Sequence, residues 1–174
     1  MSSPVRYVAA IAAAAALCLA LSGGRAMAGD PAFVTLGVGI FDVFHNDTAG
    51  HFRAEFRADQ LGFIEPLVGV EGTTDGGLYV FGGFNIDILV GHRWVLSPGF
   101  AVGHYSNGSG KDLGYNIEFR SGGEVAYRFD DRSRLGLALH HISNAGQGTH
   151  NPGTEIIAVT YSIPIGHIFD SNAK

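Results

Sequence analysis

His51-Phe52-Arg53-Ala54-Glu55-Phe56-Arg57-Ala58-Asp59 alternates without a fault: Phe52, Ala54, Phe56 and Ala58 share one parity, and Arg53, Glu55, Arg57 and Asp59 the other. A strand sends successive side chains to opposite faces, so this period of two gives one apolar face and one fully charged face. The same alternation recurs on both sides. Upstream, residues 32–44 set Val34, Leu36, Val38 and Ile40 against Thr35, Gly37 and Gly39. Downstream, 63–72 set Ile64, Val68 and Val70 against Glu65, Leu67 and Glu71, with Pro66 marking a bulge or a late start.

Five further segments complete the set. Residues 77–89 carry Leu78, Val80, Phe84, Ile86 and Ile88 opposite Tyr79, Asn85 and Asp87, and 92–105 carry Trp94, Leu96, Phe100 and Val102. Residues 115–129 place Ile117, Phe119, Val125, Tyr127 and Phe129 against Glu118, Arg120, Glu124 and Arg128; 132–143 and 154–163 follow. Eight strands is an even count, as a closed antiparallel bacterial barrel requires, and closure leaves no open edge. Several segments reach the roughly 9–11 residues that a tilted strand needs to cross a bilayer.

The connections point the same way. Those at Gln60-Leu61-Gly62, Val90-Gly91 and Asp130-Asp131 are short, whereas the alternate ones, at 46–50, 73–76, 106–114 and 144–153, are mostly longer and polar. Short periplasmic turns and longer outer loops are the pattern of outer-membrane barrels. A soluble ligand-carrying barrel shares the alternation but turns its apolar face inward. Strand length, loop asymmetry and the need to fill a narrow lumen favour the all-β, eight-stranded antiparallel transmembrane β-barrel, with the charged face inside.

Composition agrees: 26 Gly, 12 Phe and 6 Tyr against 2 Met and 1 Trp suit glycine-rich aromatic strands. Residues 1–28 read as a secretory signal, with Arg6 in the n-region, an apolar run from Val8 to Leu21, and Ala26-Met27-Ala28 at the cleavage site. The apolar run is too short for the roughly 20 residues of a spanning helix. Cleavage leaves a barrel of residues 29–174 without cysteine, since Cys18 departs, and moves the formal charge from −5 to −7. That acidity argues against a nucleic-acid partner. A signal on such a chain implies a Gram-negative outer membrane. The chain runs past the last strand through Pro164 to Lys174, where Phe169 is a candidate terminal aromatic.

His141-Ile142-Ser143-Asn144, a polar turn and Asn151-Pro152-Gly153-Thr154-Glu155 bring a base, a nucleophile and a carboxylate within fifteen residues. His141 and Ser143 share the parity of Leu135, Leu137 and Leu139, and Glu155 that of Ile157, Val159, Tyr161 and Ile163. All three are therefore expected on the lipid-facing wall. Unpaired polar groups in hydrocarbon cost several kcal/mol, so their placement asks for a function. Two residues apart on a strand, His141 and Ser143 have Cα atoms about 6.5–7 Å apart. The hairpin brings Glu155 alongside to fix the imidazole tautomer. Ser143 is then the nucleophile toward an acyl carbonyl, His141 the base, and Asn144 with the backbone N–H groups near Gly146 the candidate oxyanion hole. With the N-terminus in the periplasm, this end lies at the cell surface and meets lipopolysaccharide, whose ester-linked acyl chains offer carbonyls.

Two other readings compete. His104-Tyr105-Ser106-Asn107 repeats the motif, with Glu118 at the same distance from its serine, but Glu118 has the lumenal parity of Arg120 and Glu124. A structural or adhesive barrel without catalysis would leave three polar residues on the lipid face unexplained, while a broader envelope esterase or phospholipase would keep the same triad. No metal site is expected, because His45, His51, His92, His150 and His167 are scattered over termini and loops without ligand spacing and read as exposed.

The motif resembles that of the PagL outer-membrane lipid A 3-O-deacylases: His-x-Ser-Asn, a turn, then Asn-Pro-Gly and a glutamate at the same spacing from the serine. The resemblance implies an eight-stranded barrel that hydrolyses the ester of the 3-hydroxyacyl chain at the 3-position of lipid A, without metal or cofactor. It also implies His141 as base, Ser143 as nucleophile and Glu155 as orienting acid. Asn144, Gly146 and Asn151 fall at its oxyanion-hole or loop-shaping positions.

Overall fold

The structure, a computed structural model, describes residues 30–165; the expected signal sequence, Cys18, His167 and Phe169 lie outside the described residues. The described chain is all strand: β1 (Phe33–Phe41), β2 (Ala49–Arg57), β3 (Glu65–Thr73), β4 (Leu78–Asn85), β5 (Ile88–Val90), β6 (Trp94–Ser106), β7 (Ile117–Arg128), β8 (Arg134–Ser143) and β9 (Thr154–Pro164). All pairings are antiparallel. β4 and β5 pair in succession along β6, so together they form one interrupted stave, and β1 pairs with β9 to close an eight-stranded barrel.

Where the strands depart most from the expected bounds, the reason is local. The first strand stops at Phe41 rather than 44, because Asp42 takes a left-handed φ of 57° and turns the chain. The fourth breaks at Ile86-Asp87, opposite Pro98. Ile86 N–H donates to Pro98 O at 2.9 Å, but proline has no N–H to return the bond, so the ladder lapses there. The third strand begins late, at Glu65, beside Pro66.

The faces are those of a membrane barrel. Leu36, Val38, Phe52, Leu135, Leu137, Leu139 and Val159 are exposed on the outer wall, while Arg53, Glu55, Arg57, Glu71, Arg120, Glu124 and Arg134 are buried inside. A continuous exposed apolar wall is not tolerated on a water-soluble monomer. At the short-turn end, Trp94, Tyr127 and Phe129 pack edge to face with centroids 5.5 and 5.2 Å apart, like an interfacial aromatic girdle.

Buried charges are stabilised when paired and hydrogen-bonded, and most of the charged lumenal residues meet that condition as a lattice, Glu118 being an exception. Arg57 Nε donates to Glu55 Oε1 at 2.7 Å and its Nη2 to Glu124 at 3.1 Å; Arg53 donates to the same carboxylate at 3.3 Å. Arg120 bridges Glu71 and Glu55 at 2.6 and 2.9 Å. Lower down, Arg134 joins Asp30 and Asp87 at 2.7 and 2.6 Å. Glu124 also accepts from the Thr160 hydroxyl at 2.9 Å. Glu124→Ala should therefore cost about 3–5 kcal/mol by leaving two buried guanidinium groups short of a partner. Guanidinium unfolding in lipid vesicles, followed through the sole tryptophan, Trp94, measures it.

Candidate active site

His141 on β8 stands directly opposite Glu155 on β9, and their side chains meet with Nδ1 3.0 Å from Oε1. Cross-strand neighbours are the closest side-chain pairs a sheet offers, so the register alone assembles this contact. With Nδ1–H donating to the carboxylate, Nε2 is left bare as a base. Ser143, the last residue of β8, shares the outward parity of His141 and lies half-buried opposite Phe119 of β7. Among the described residues no hydrogen bond joins Ser143 to the His141 ring. Such contacts are commonly loose in a site without substrate and tighten when it binds.

The loop between β8 and β9 is built around Asn144, which is fully buried. Its Nδ2 donates to Leu113 O and His150 O, both at 2.7 Å, and its Oδ1 accepts from Gly146 N–H at 2.9 Å. Its own N–H donates to Asn151 Oδ1 at 3.0 Å, and its carbonyl accepts from Gln147 N–H at 3.1 Å, closing a tight turn. Ala145 and Gly146 in that turn have φ of 54° and 75°, the primed-turn geometry. Ala145 is held in a conformation that disfavours a Cβ, the kind of local strain that functional loops store. Asn144 and Gly146 thus use their amide hydrogens inside the loop. Asn151, pinned through its oxygen, keeps Nδ2 without a partner among the described residues.

Gly153 closes the loop against the imidazole. It has φ of 63°, and a Cβ there would lie 2.8 Å from His141 Cε1. The glycine of the Asn-Pro-Gly turn thus leaves room for the ring beside Glu155.

One other loop reaches the same carboxylate. His45, in the loop after β1, places Nδ1 3.4 Å from Glu155 Oε2 and 3.3 Å from Asp42 Oδ1. Asp42 is fully buried and accepts from Lys111 Nζ at 2.6 Å, from the Thr154 hydroxyl at 3.0 Å and from Asp47 N–H at 3.1 Å. Burial opposes its charge, but the hydrogen bonds from Lys111, Thr154 and Asp47 outweigh it and hold its pKa below the ordinary aspartate value. Sequence reasoning missed His45, Asp42 and Lys111, since a separation of about a hundred residues carries no local signal. It also misplaced His51, which is buried in the lumen with Nε2 3.5 Å from Glu71.

Donor atoms of Asp42, His45 and Glu155 lie within 4.8 Å of one another, a spacing compatible with a cation. Both oxygens of Asp42 already hold donors. The repeated motif on β6 assembles nothing comparable: Glu118 is fully buried, and its side chain has the lumenal parity of Arg120, while Ser106 is exposed at the end of β6. The wall separates them.

A family model described as lipid A 3-O-deacylase (PagL) matches residues 41–164. The chain belongs to the PagL family. Among solved structures, the outer-membrane enzyme PagL is similar with a TM-score of 0.59 and 21% identity, covering 76% of this chain and 99% of that one. A de novo designed transmembrane β-barrel is similar with a TM-score of 0.56 and 11% identity, covering 80% and 100%. At such identities these likenesses report the fold. No curated protein sequence matches.

In this PagL-family chain the contact of Gly153 with His141 makes a testable demand. Gly153→Ala should push the ring off Glu155 and lower turnover on the order of 100-fold, the cost of an ångström-scale misplacement. Gly91→Ala, equally left-handed but with open space around it at the opposite end of the barrel, should leave turnover within about twofold when both are assayed for ester hydrolysis.

Proposed function

We propose that the chain is a lipid A 3-O-deacylase of a Gram-negative outer membrane, delivered by the cleaved signal of residues 1–28 and working through a Ser143-His141-Glu155 triad on the lipid-facing wall. The observation that carries the reading is the 3.0 Å contact between His141 and Glu155, on the outer wall among Leu139, Leu137 and Val159 and beside the half-buried Ser143. A paired base and acid on an apolar wall suit a substrate that presents its ester from within the membrane.

The chemistry follows from the geometry. Ser143 Oγ attacks the carbonyl carbon of the 3-O-acyl chain as His141 Nε2 takes its proton, and Glu155 steadies the imidazolium through Nδ1. The negative charge develops on the former carbonyl oxygen, toward which the free Nδ2 of Asn151 is the available side-chain donor. Collapse breaks the bond to the sugar oxygen, which leaves with the proton from His141. Water then attacks the acyl-serine with His141 again as base, releasing the 3-hydroxy fatty acid and restoring Ser143. Asn144 and Gly146 shape the loop that holds Asn151.

Membranes containing the folded protein should lose one ester-linked 3-hydroxyacyl chain from lipid A, read by mass spectrometry. Ser143→Ala should abolish the loss with the barrel still folded, and Ser106→Ala should not change it. Retained deacylation in Ser143→Ala would remove the triad assignment. Intact lipid A alongside hydrolysis of phospholipid esters would move the substrate to a broader class of envelope lipids.

A further inference from the structure

Glu155 presents two oxygens, and the mechanism accounts for one. Oε1 holds His141, whereas Oε2 is buried and has no full hydrogen bond among the described residues. A carboxylate held at one oxygen can swing about its terminal torsion and carry the imidazole with it. The nearest donor to Oε2 is the His45 ring, with Nδ1 at 3.4 Å.

His45 is not a side chain that happens to lie nearby, because its loop is fastened to Glu155 on several sides. Val43 N–H donates to the Glu155 backbone carbonyl at 3.1 Å. His45 N–H donates to Asp42 O at 3.2 Å, and the Thr48 hydroxyl donates to His45 O at 3.2 Å, so the turn carrying the ring is closed on itself. Asp42, in its left-handed conformation, anchors that turn to Thr154, the residue before Glu155, and to Lys111 from the loop before β7. Nδ1 of His45 therefore sits between two carboxylates, 3.3 Å from one and 3.4 Å from the other.

We propose that His45 is a positioning residue of the esterase, holding Oε2 of Glu155 from the first outer loop so that Oε1 stays aligned on His141. The assignment rests on the triad reading above and adds a contact from the far end of the chain to it. His45 acts through Glu155 and does not meet the reacting ester. Groups that steady the orienting partner of a catalytic histidine work in this way, as do the outer partners of metal-bound histidines.

The test uses the full barrel in vesicles with two readouts: turnover of lipid A, and the rate at which a serine-directed fluorophosphonate labels Ser143. His45→Ala should lower kcat about 5- to 20-fold with KM within about twofold, and slow labelling to a similar degree. His45→Asn puts an amide nitrogen where Nδ1 stood and should recover kcat to within about threefold of the original. Combined with Glu155→Ala, His45→Ala should add no further loss, since its route is already gone. Folding of each variant is read from heat-modifiable gel migration. Unchanged kcat and labelling in His45→Ala would overturn the proposal. So would a loss confined to KM, a His45→Asn variant as slow as His45→Ala, or an equal loss on the Glu155→Ala background. A protein that labels at Ser143 yet leaves lipid A intact would overturn the substrate reading alone, and the labelling rates would still decide the role of His45.

Discussion

Glu124 receives Arg53, Arg57 and the Thr160 hydroxyl at the centre of the lumen, and the rest of the ion lattice is built out from there through Glu55, Arg120 and Glu71. Because a narrow barrel must fill its interior with side chains, and the outer wall must be apolar, the polar half of every strand has one place to go. The cost of that burial is offset by pairing, which ties β2, β3, β7 and β9 together across the lumen. A rigid wall is the result. Rigid strands, in turn, hold His141 and Glu155 opposite each other more surely than a pair of loops would.

The wall supplies the pair, and the loops supply the rest. Asn144 draws in the loop before β7 through Leu113, while Asp42 draws in Lys111 from that same loop and Thr154 from the head of β9. Three separate connections are therefore tied to one another at one end of the barrel. Of the three described non-glycine residues with positive φ, Asp42 and Ala145 lie in loops flanking the site, each in a turn closed by hydrogen bonds, while Arg132 lies in the short turn before β8.

What the sequence made legible was whatever depends on neighbours along the chain. Alternation in 51–59 and 115–129 specified the faces, and parity placed Ser143, His141 and Glu155 on the apolar side, because both follow from the two-residue period of a strand. The lapse at Ile86-Asp87 was not legible, since its cause is Pro98 on another strand. Nor was the left-handed Asp42, whose side chain is held by partners up to 112 residues away. His45 read as an exposed loop histidine and is indeed half exposed. Only the closing of β1 onto β9 reveals what its other half touches.

That same seam bears on how the protein comes into being. β1 and β9 join Phe33 to Pro164 and Val38 to Val159, contacts that span nearly the whole described chain. Loop-closure entropy is greatest for such contacts, so they are the slowest to be gained. The hairpin of β8 and β9 is local and able to bring His141 to Glu155 early. Asp42, Val43 and His45, by contrast, reach Thr154 and Glu155 only after the first strand has found the last. The Glu155 carboxylate therefore acquires its full surroundings in the final event of assembly, and an unclosed chain carries a His141–Glu155 pair that is still only partly held.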